Sequence, residues 1–218
     1  MLEHFKLEKI SLGSPVFDVE KLNYINAHHQ RQLDGKEYAG RVREFLFDDA
    51  KLEAVCALVQ HRTETLGEFM GMADFFFGNV SHVSPETRKK KQPQDRLPAE
   101  GLVPKGREAQ ESWFALRIVQ EALDAAEDWT AAALEAVCRE LATEPSTGWK
   151  VRDLFMALRV AMTGKTETPP LFESMEVLGK ARCMGRLTDA MRVLGTPGKK
   201  AMKRWEKERK AKKAAGSE

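Results

Sequence analysis

The chain has 218 residues, 42% apolar and 31% charged, enough for one large domain or two small ones around a real core. No stretch is long and apolar enough to span a membrane, and the opening M-L-E-H-F-K-L-E-K carries acids and no long apolar run. Neither a membrane span nor a secretory leader is therefore expected, and the default address is cytoplasmic. The formal charge of +2 hides an asymmetry: nine Lys or Arg against three Glu between Lys199 and Glu218 make that stretch +6 and leave −4 on the rest.

Residues 1–20 hold Phe5, Leu7, Ile10, Val16 and Phe17 in a segment too short to bury them, broken at Gly13, Ser14 and Pro15. A helical stripe then runs from Asp49 through Leu52, Val55, Cys56 and Val59 toward Arg62, where the spacing would otherwise place a hydrophobe. Two readings fit that cation. A helix boundary would explain it, because Thr65 and Glu68 form a T-x-x-E capping pattern and arginine suits a helix carboxyl end. A guanidinium facing a base edge would explain it too.

Phe69, Met70, Met72, Phe75, Phe76 and Phe77 crowd together with no basic residue among them, which favours core packing over a platform for stacked bases. Residues 79–107 carry four prolines, two glycines and the basic run Arg88 to Lys91, with no helical period beyond a turn, so a long loop is expected. Periodicity resumes with Trp113, Leu116, Val119, Gln120 and Leu123, and again with Leu134, Val137, Cys138 and Leu141; Thr130 is placed to cap the second of these helices.

From Trp149 to Leu194 three short helices follow. Val151, Leu154, Phe155, Leu158 and Met162 line the first, ended by Gly164. Thr168 can cap the second, entered by Pro169 and Pro170 and lined by Leu171, Phe172, Met175 and Leu178 before Gly179. Cys183, Met184, Leu187, Met191 and Leu194 line the third, which Gly195 stops. Thr196, Pro197 and Gly198 cut off a Lys-rich tail whose apolar residues are few beyond Met202 and Trp205. Cys56, Cys138 and Cys183 are far apart within apolar patterns, which argues for small buried side chains and against a metal knuckle or disulfide framework.

Several of these stretches, in this order, resemble bacterial-type glutamyl-tRNA synthetases. The blocks are V-F-D-V-E-K-L-N-Y-I-N from Val16, V-Q-H-R-T-E-T-L-G-E-F from Val59, E-D-W-T from Glu127, A-L-R-V-A-M-T-G from Ala157 and P-P-L-F-E from Pro169. Leu178, Gly179, Lys180, Arg186 and Leu187 complete the set. Tyr24, Ala157 and Met162 stand where that family has Trp, Pro and Leu. The resemblance runs from about Val16 to Leu194 and is to the C-terminal, anticodon-binding half.

The resemblance implies an all-α fold, two small helical subdomains forming the anticodon-binding helix cage of class I glutamyl-tRNA synthetases. Residues 1–20 would be a remnant of the segment joining the catalytic half, 21–83 the first subdomain, 84–107 a loop, 108–195 the second subdomain and 196–218 a basic tail. It implies that Arg62 reads the third anticodon base and that Arg159, Thr168 and Leu171 line the pocket for the first, with Lys21 and Arg31 touching backbone phosphate. The arginine at 62 implies a type that rejects glutamine tRNA. From the residues alone, Arg159 also reads as an ordinary exposed arginine, Thr168 as a cap and Leu171 as core.

The catalytic H-I-G-H-like and K-M-S-K-like motifs of that family are absent from these residues. No glycine-rich phosphate loop follows a strand, and His4, His28, His29, His61 and His82 make no metal or catalytic set. No catalysis, cofactor or metal is therefore expected of this chain alone; ATP and Mg²⁺ belong to the full enzyme. The expected partner is glutamate tRNA, bound by a monomer, with no DNA and no membrane. The rival expectation is a free-standing, non-catalytic module of the same fold that binds RNA or protein.

Overall fold

The computed structural model describes residues 18–46, 48–78, 80, 99–143 and 149–215, and among these the regular structure is entirely helical. The apolar residues before Pro15 and the basic run Arg88 to Lys91 lie outside the described residues. The chain divides into compact units between Asp48 and Asp49.

The first unit carries α1 (Val19–Gln30) and α2 (Gly35–Leu46). Each has an aspartate at its entrance: Asp18 accepts from the Lys21 amide at 3.0 Å, and Asp34 from the Glu37 amide at 2.7 Å, so an orphan N–H of each first turn is satisfied. Neither helix buries a residue.

The second unit is built from α3 (Asp49–Val59), α4 (Phe69–Phe77), α5 (Ala99–Leu102), α6 (Ala109–Ala125), α7 (Ala131–Thr143), α8 (Val151–Thr163), α9 (Leu171–Leu178), α10 (Lys180–Leu194) and α11 (Lys199–Ala215). The stripes foreseen from spacing turn inward. Leu116, Val119 and Leu123 of α6, Leu154, Leu158 and Met162 of α8, and Cys183, Leu187 and Met191 of α10 fill one core where these helices pack, while α7 and α3 lie against α9. Phe75, Phe76 and Phe77 are buried, so the aromatic crowd of α4 is core. Cys138 and Cys183 are buried and Cys56 is half-buried; burial pushes the first two thiols up to about 12, which leaves them neutral and inert.

Glycine ends three helices as expected: Gly164 (φ 72°), Gly179 (φ 78°) and Gly195 (φ 86°) all take positive φ. Thr130 accepts from the Ala133 amide and caps α7, while the neighbouring Trp129 indole donates to the Met175 carbonyl at 3.1 Å and ties that entrance to α9.

Three expectations change. Thr168 does not cap α9: the helix starts later, with Pro170 at the cap position, and the threonine hydroxyl is taken by an arginine instead. The T-x-x-E pattern marks a turn but is not a reciprocal box. Glu68 accepts from the Thr65 hydroxyl and from the Glu64 amide, and the element it opens is the 3-10 turn Leu66–Glu68. The stretch 84–107, expected as loop, contains α5. Its single turn is held by tertiary contact, with Leu102 buried and Gly101 so close to Val160 of α8 that an added Cβ would lie 2.3 Å from Val160 Cγ2.

Candidate nucleic-acid interface

α3 ends at Val59 because the next three residues tighten into the 3-10 turn Gln60–Arg62, after which Thr63 is extended (φ −120°, ψ 138°). Tightening rotates Arg62 away from the buried line of Val55 and Val59 and leaves it exposed. Its guanidinium makes no hydrogen bond or ion pair to any described residue. Leu66, four residues on, is 95% exposed.

Arg159 sits on α8, which packs against α9, and α3 packs against α9 as well. One edge of its guanidinium is committed. Nη1 donates to the Thr168 carbonyl at 3.3 Å, to the Pro169 carbonyl at 3.1 Å and to the Thr168 hydroxyl, which itself donates to the Pro169 carbonyl at 2.9 Å. Nε and Nη2 have no acceptor among the described residues, so half of a planar fork stays available. Thr163 braces the turn from behind: its hydroxyl donates to the Arg159 carbonyl at 2.8 Å and accepts from the Lys165 amide at 3.1 Å.

Burial lowers the Arg159 pKa, and the positive charge of Arg62 lowers it further. The packing thus brings Arg62 within electrostatic reach of Arg159. No described carboxylate pairs with either group. Thr168 and Leu171 are 6% and 5% exposed; the first holds Arg159, and the second opens α9 with its side chain largely in the core. Lys21 and Arg31 are exposed on α1 and at its carboxyl end, in the other compact unit.

A second set of cations had no structural role assigned from sequence, where Arg186 appears only as a motif position. Arg182 and Arg186, one turn apart on α10, reach the carboxyl end of α4. Arg182 donates to the Phe76 carbonyl at 2.6 Å, and Arg186 donates to the carbonyls of Phe75, Met162 and Gly78, the last at 3.1 Å. Lys165 adds bonds to the Gly71 carbonyl (2.5 Å) and to Asp74 (2.6 Å). The two arginines thereby satisfy the Phe75 and Phe76 carbonyls, which lie in the last turn of α4 and have no partner within that helix. Burial lowers the Arg186 pKa to about 10, still far enough above neutrality to keep it charged. The signal was a cation at i and i+4 on a helix whose other inward positions are apolar.

An all-helical unit with uncompensated guanidinium groups at helix ends fits a nucleic-acid-reading domain. Residues 37–191 match the family described as an anticodon binding domain, and the chain belongs to that family. It is similar to the glutamate–tRNA ligase of Thermus thermophilus (36% identity over 198 residues, 87% of this chain and 38% of that one). It is also similar to that of Saccharophagus degradans (34% over 209 residues, 95% and 38%). The crystal structure of a glutamate tRNA ligase from Elizabethkingia meningosepticum in complex with its amino acid superposes with a TM-score of 0.51 at 19% identity, over 87% of this chain and 35% of that one, and supports the fold. The chain spans about two fifths of the length of these relatives. Among the described residues, no helix is long and apolar enough to cross a membrane.

Proposed function

We propose that this chain grips the anticodon loop of glutamate tRNA and is the tRNA-reading part of a glutamate–tRNA ligase, acting as a monomer in the cytoplasm. The observation that carries the reading is the pair Arg62 and Arg159, neither paired to a described carboxylate: Thr168 and Pro169 hold Nη1 of Arg159 and leave the Nε and Nη2 side of its fork unbonded, and burial and then the charge of Arg62 lower its pKa. In free protein such a pair is electrostatically unfavourable, and RNA relieves it. Loop nucleotides can be splayed out, and their exposed edges accept hydrogen bonds from a fixed guanidinium fork.

In this reading Arg62 contacts the third anticodon base, and its cationic donors select against glutamine tRNA. Arg159 contacts the first base through its free edge. Thr168 acts by orienting Arg159, and Leu171 supplies an apolar floor beside it. Lys21 and Arg31 touch backbone phosphate. ATP and Mg²⁺ are assigned to the catalytic half of a full ligase. No group of three or more His, Cys, Asp or Glu that could hold a metal ion comes together among the described residues, and the reading concerns recognition alone.

The test is filter binding of the 218-residue chain to glutamate tRNA and to the same tRNA body carrying an unrelated anticodon loop. The intact tRNA is expected to bind more tightly by tenfold or more, as roughly 1 to 3 kcal/mol per base contact requires. Equal affinity would overturn the reading.

A further inference from the structure

α11 lies on α6. The Trp205 ring stacks on Phe114 with centroids 4.6 Å apart and planes 10° from parallel, while Arg209 donates to Glu121 at 2.8 Å and lies over the Trp205 ring. Trp205 and Arg209 therefore fix which side of α11 turns toward the body. The helix carries nine basic side chains against two acidic ones.

Lys200, Lys203, Arg204 and Lys207 recur at i, i+3, i+4 and i+7, the spacing that places residues in one row along a helix. All four are exposed. Neither carboxylate interrupts the row. Glu208 is held at its border by Arg204 Nε at 2.7 Å, and Glu206 stands one turn above Met202, on another side. The row contains two like-charged i, i+4 pairs, Lys200 with Arg204 and Lys203 with Lys207, which cost the free helix stability. A polyanion laid along it removes that cost. From Lys200 to Lys207 the row spans about 10 Å, which matches about three steps of a nucleic-acid strand. Lys200 and Arg204 also rim a cleft of about 740 Å³ walled in part by Phe114 and Trp205, so the row continues into a recess.

We propose that this outer face of α11 is a second RNA contact, engaging the sugar–phosphate backbone of the tRNA outside the anticodon loop. It rests on the reading above only in taking tRNA as the ligand. Its contribution is sequence-independent affinity through displaced counterions, separate from base choice.

The test compares the 218-residue chain with a variant in which Lys200, Lys203, Arg204 and Lys207 are all replaced by Gln. Each is titrated with glutamate tRNA and with a tRNA altered at the third anticodon base, across a range of salt concentrations. The slope of log affinity against log salt should become shallower by roughly 2 to 4 in the variant, with base preference unchanged. Exchanging the same four positions between Lys and Arg should restore the slope. The milder pair Lys203→Gln and Lys207→Gln, which touches none of the α11 contacts named above, should give about half the change. An unchanged slope overturns the proposal, and persisting base preference then leaves the anticodon reading standing. A shallower slope in a chain with no base preference keeps the proposal and removes the reading. Intact RNA binding with loss of binding to phosphatidylserine vesicles would assign the row to a membrane surface and overturn it.

Discussion

Arg159 and Arg186 stand on packed neighbours, α8 and α10, and use their donors in opposite ways. Arg186, 4% exposed, spends both terminal nitrogens on carbonyls of α4, α8 and the residue after α4. Arg159 spends one and keeps the rest of its fork free. Replacing Arg186 by Met should therefore destabilise the fold by about 2 to 4 kcal/mol, because buried carbonyls lose their partner, and the urea midpoint should fall with its slope unchanged. A loss under about 0.5 kcal/mol would mean those carbonyls find other donors. Arg62 was legible in the sequence because it broke an apolar stripe, and the structure gives the reason: the helix ends before it. Arg186 was marked only as a motif position, and its buried role was not legible, because its partners lie 24 and 111 residues away, a separation to which no local pattern points.

At the scale of elements, α6, α8 and α10 followed from periodicity and α5 did not. α6, α8 and α10 each bury the face that spacing of three and four selects. α5 has four residues, too few for a period, and exists because Gly101 lets its backbone touch Val160. Gly101→Ala should cost about 1 to 3 kcal/mol in an unfolding experiment, and Val160→Ala in the same chain should recover much of it. Simple additivity of the two changes would show that the contact is not what places α5. The misplaced cap at Thr168 has a similar origin. Threonine before two prolines suits a helix entrance by local rules, but the Arg159 guanidinium competes for its hydroxyl and carbonyl across the turn. That competition converts a capping residue into a support for the candidate site.

At the scale of the molecule, the second unit carries cations in three settings. One set closes α4, one pair, Arg62 and Arg159, has no carboxylate partner among the described residues, and one row lies along the outer face of α11. Their shared charge hides different physics. The first set stabilises the fold through helix-end carbonyls; in the proposals above, the second supplies base choice through a few oriented donors and the third salt-dependent attraction. The all-helical class and the anticodon-binding family were legible from motif order. That α11 stacks on α6 was not, because one tryptophan and one arginine in a Lys-rich tail carry the docking. The central claim is that Arg62 reads a base. It is tested most directly by a cycle in which wild-type chain and Arg62→Ala are each bound to glutamate tRNA and to the tRNA altered at its third anticodon base. The account predicts a coupling of about 1 to 3 kcal/mol, so that the substitution weakens only the matched pair. Equal losses on both RNAs, with no coupling, would contradict it.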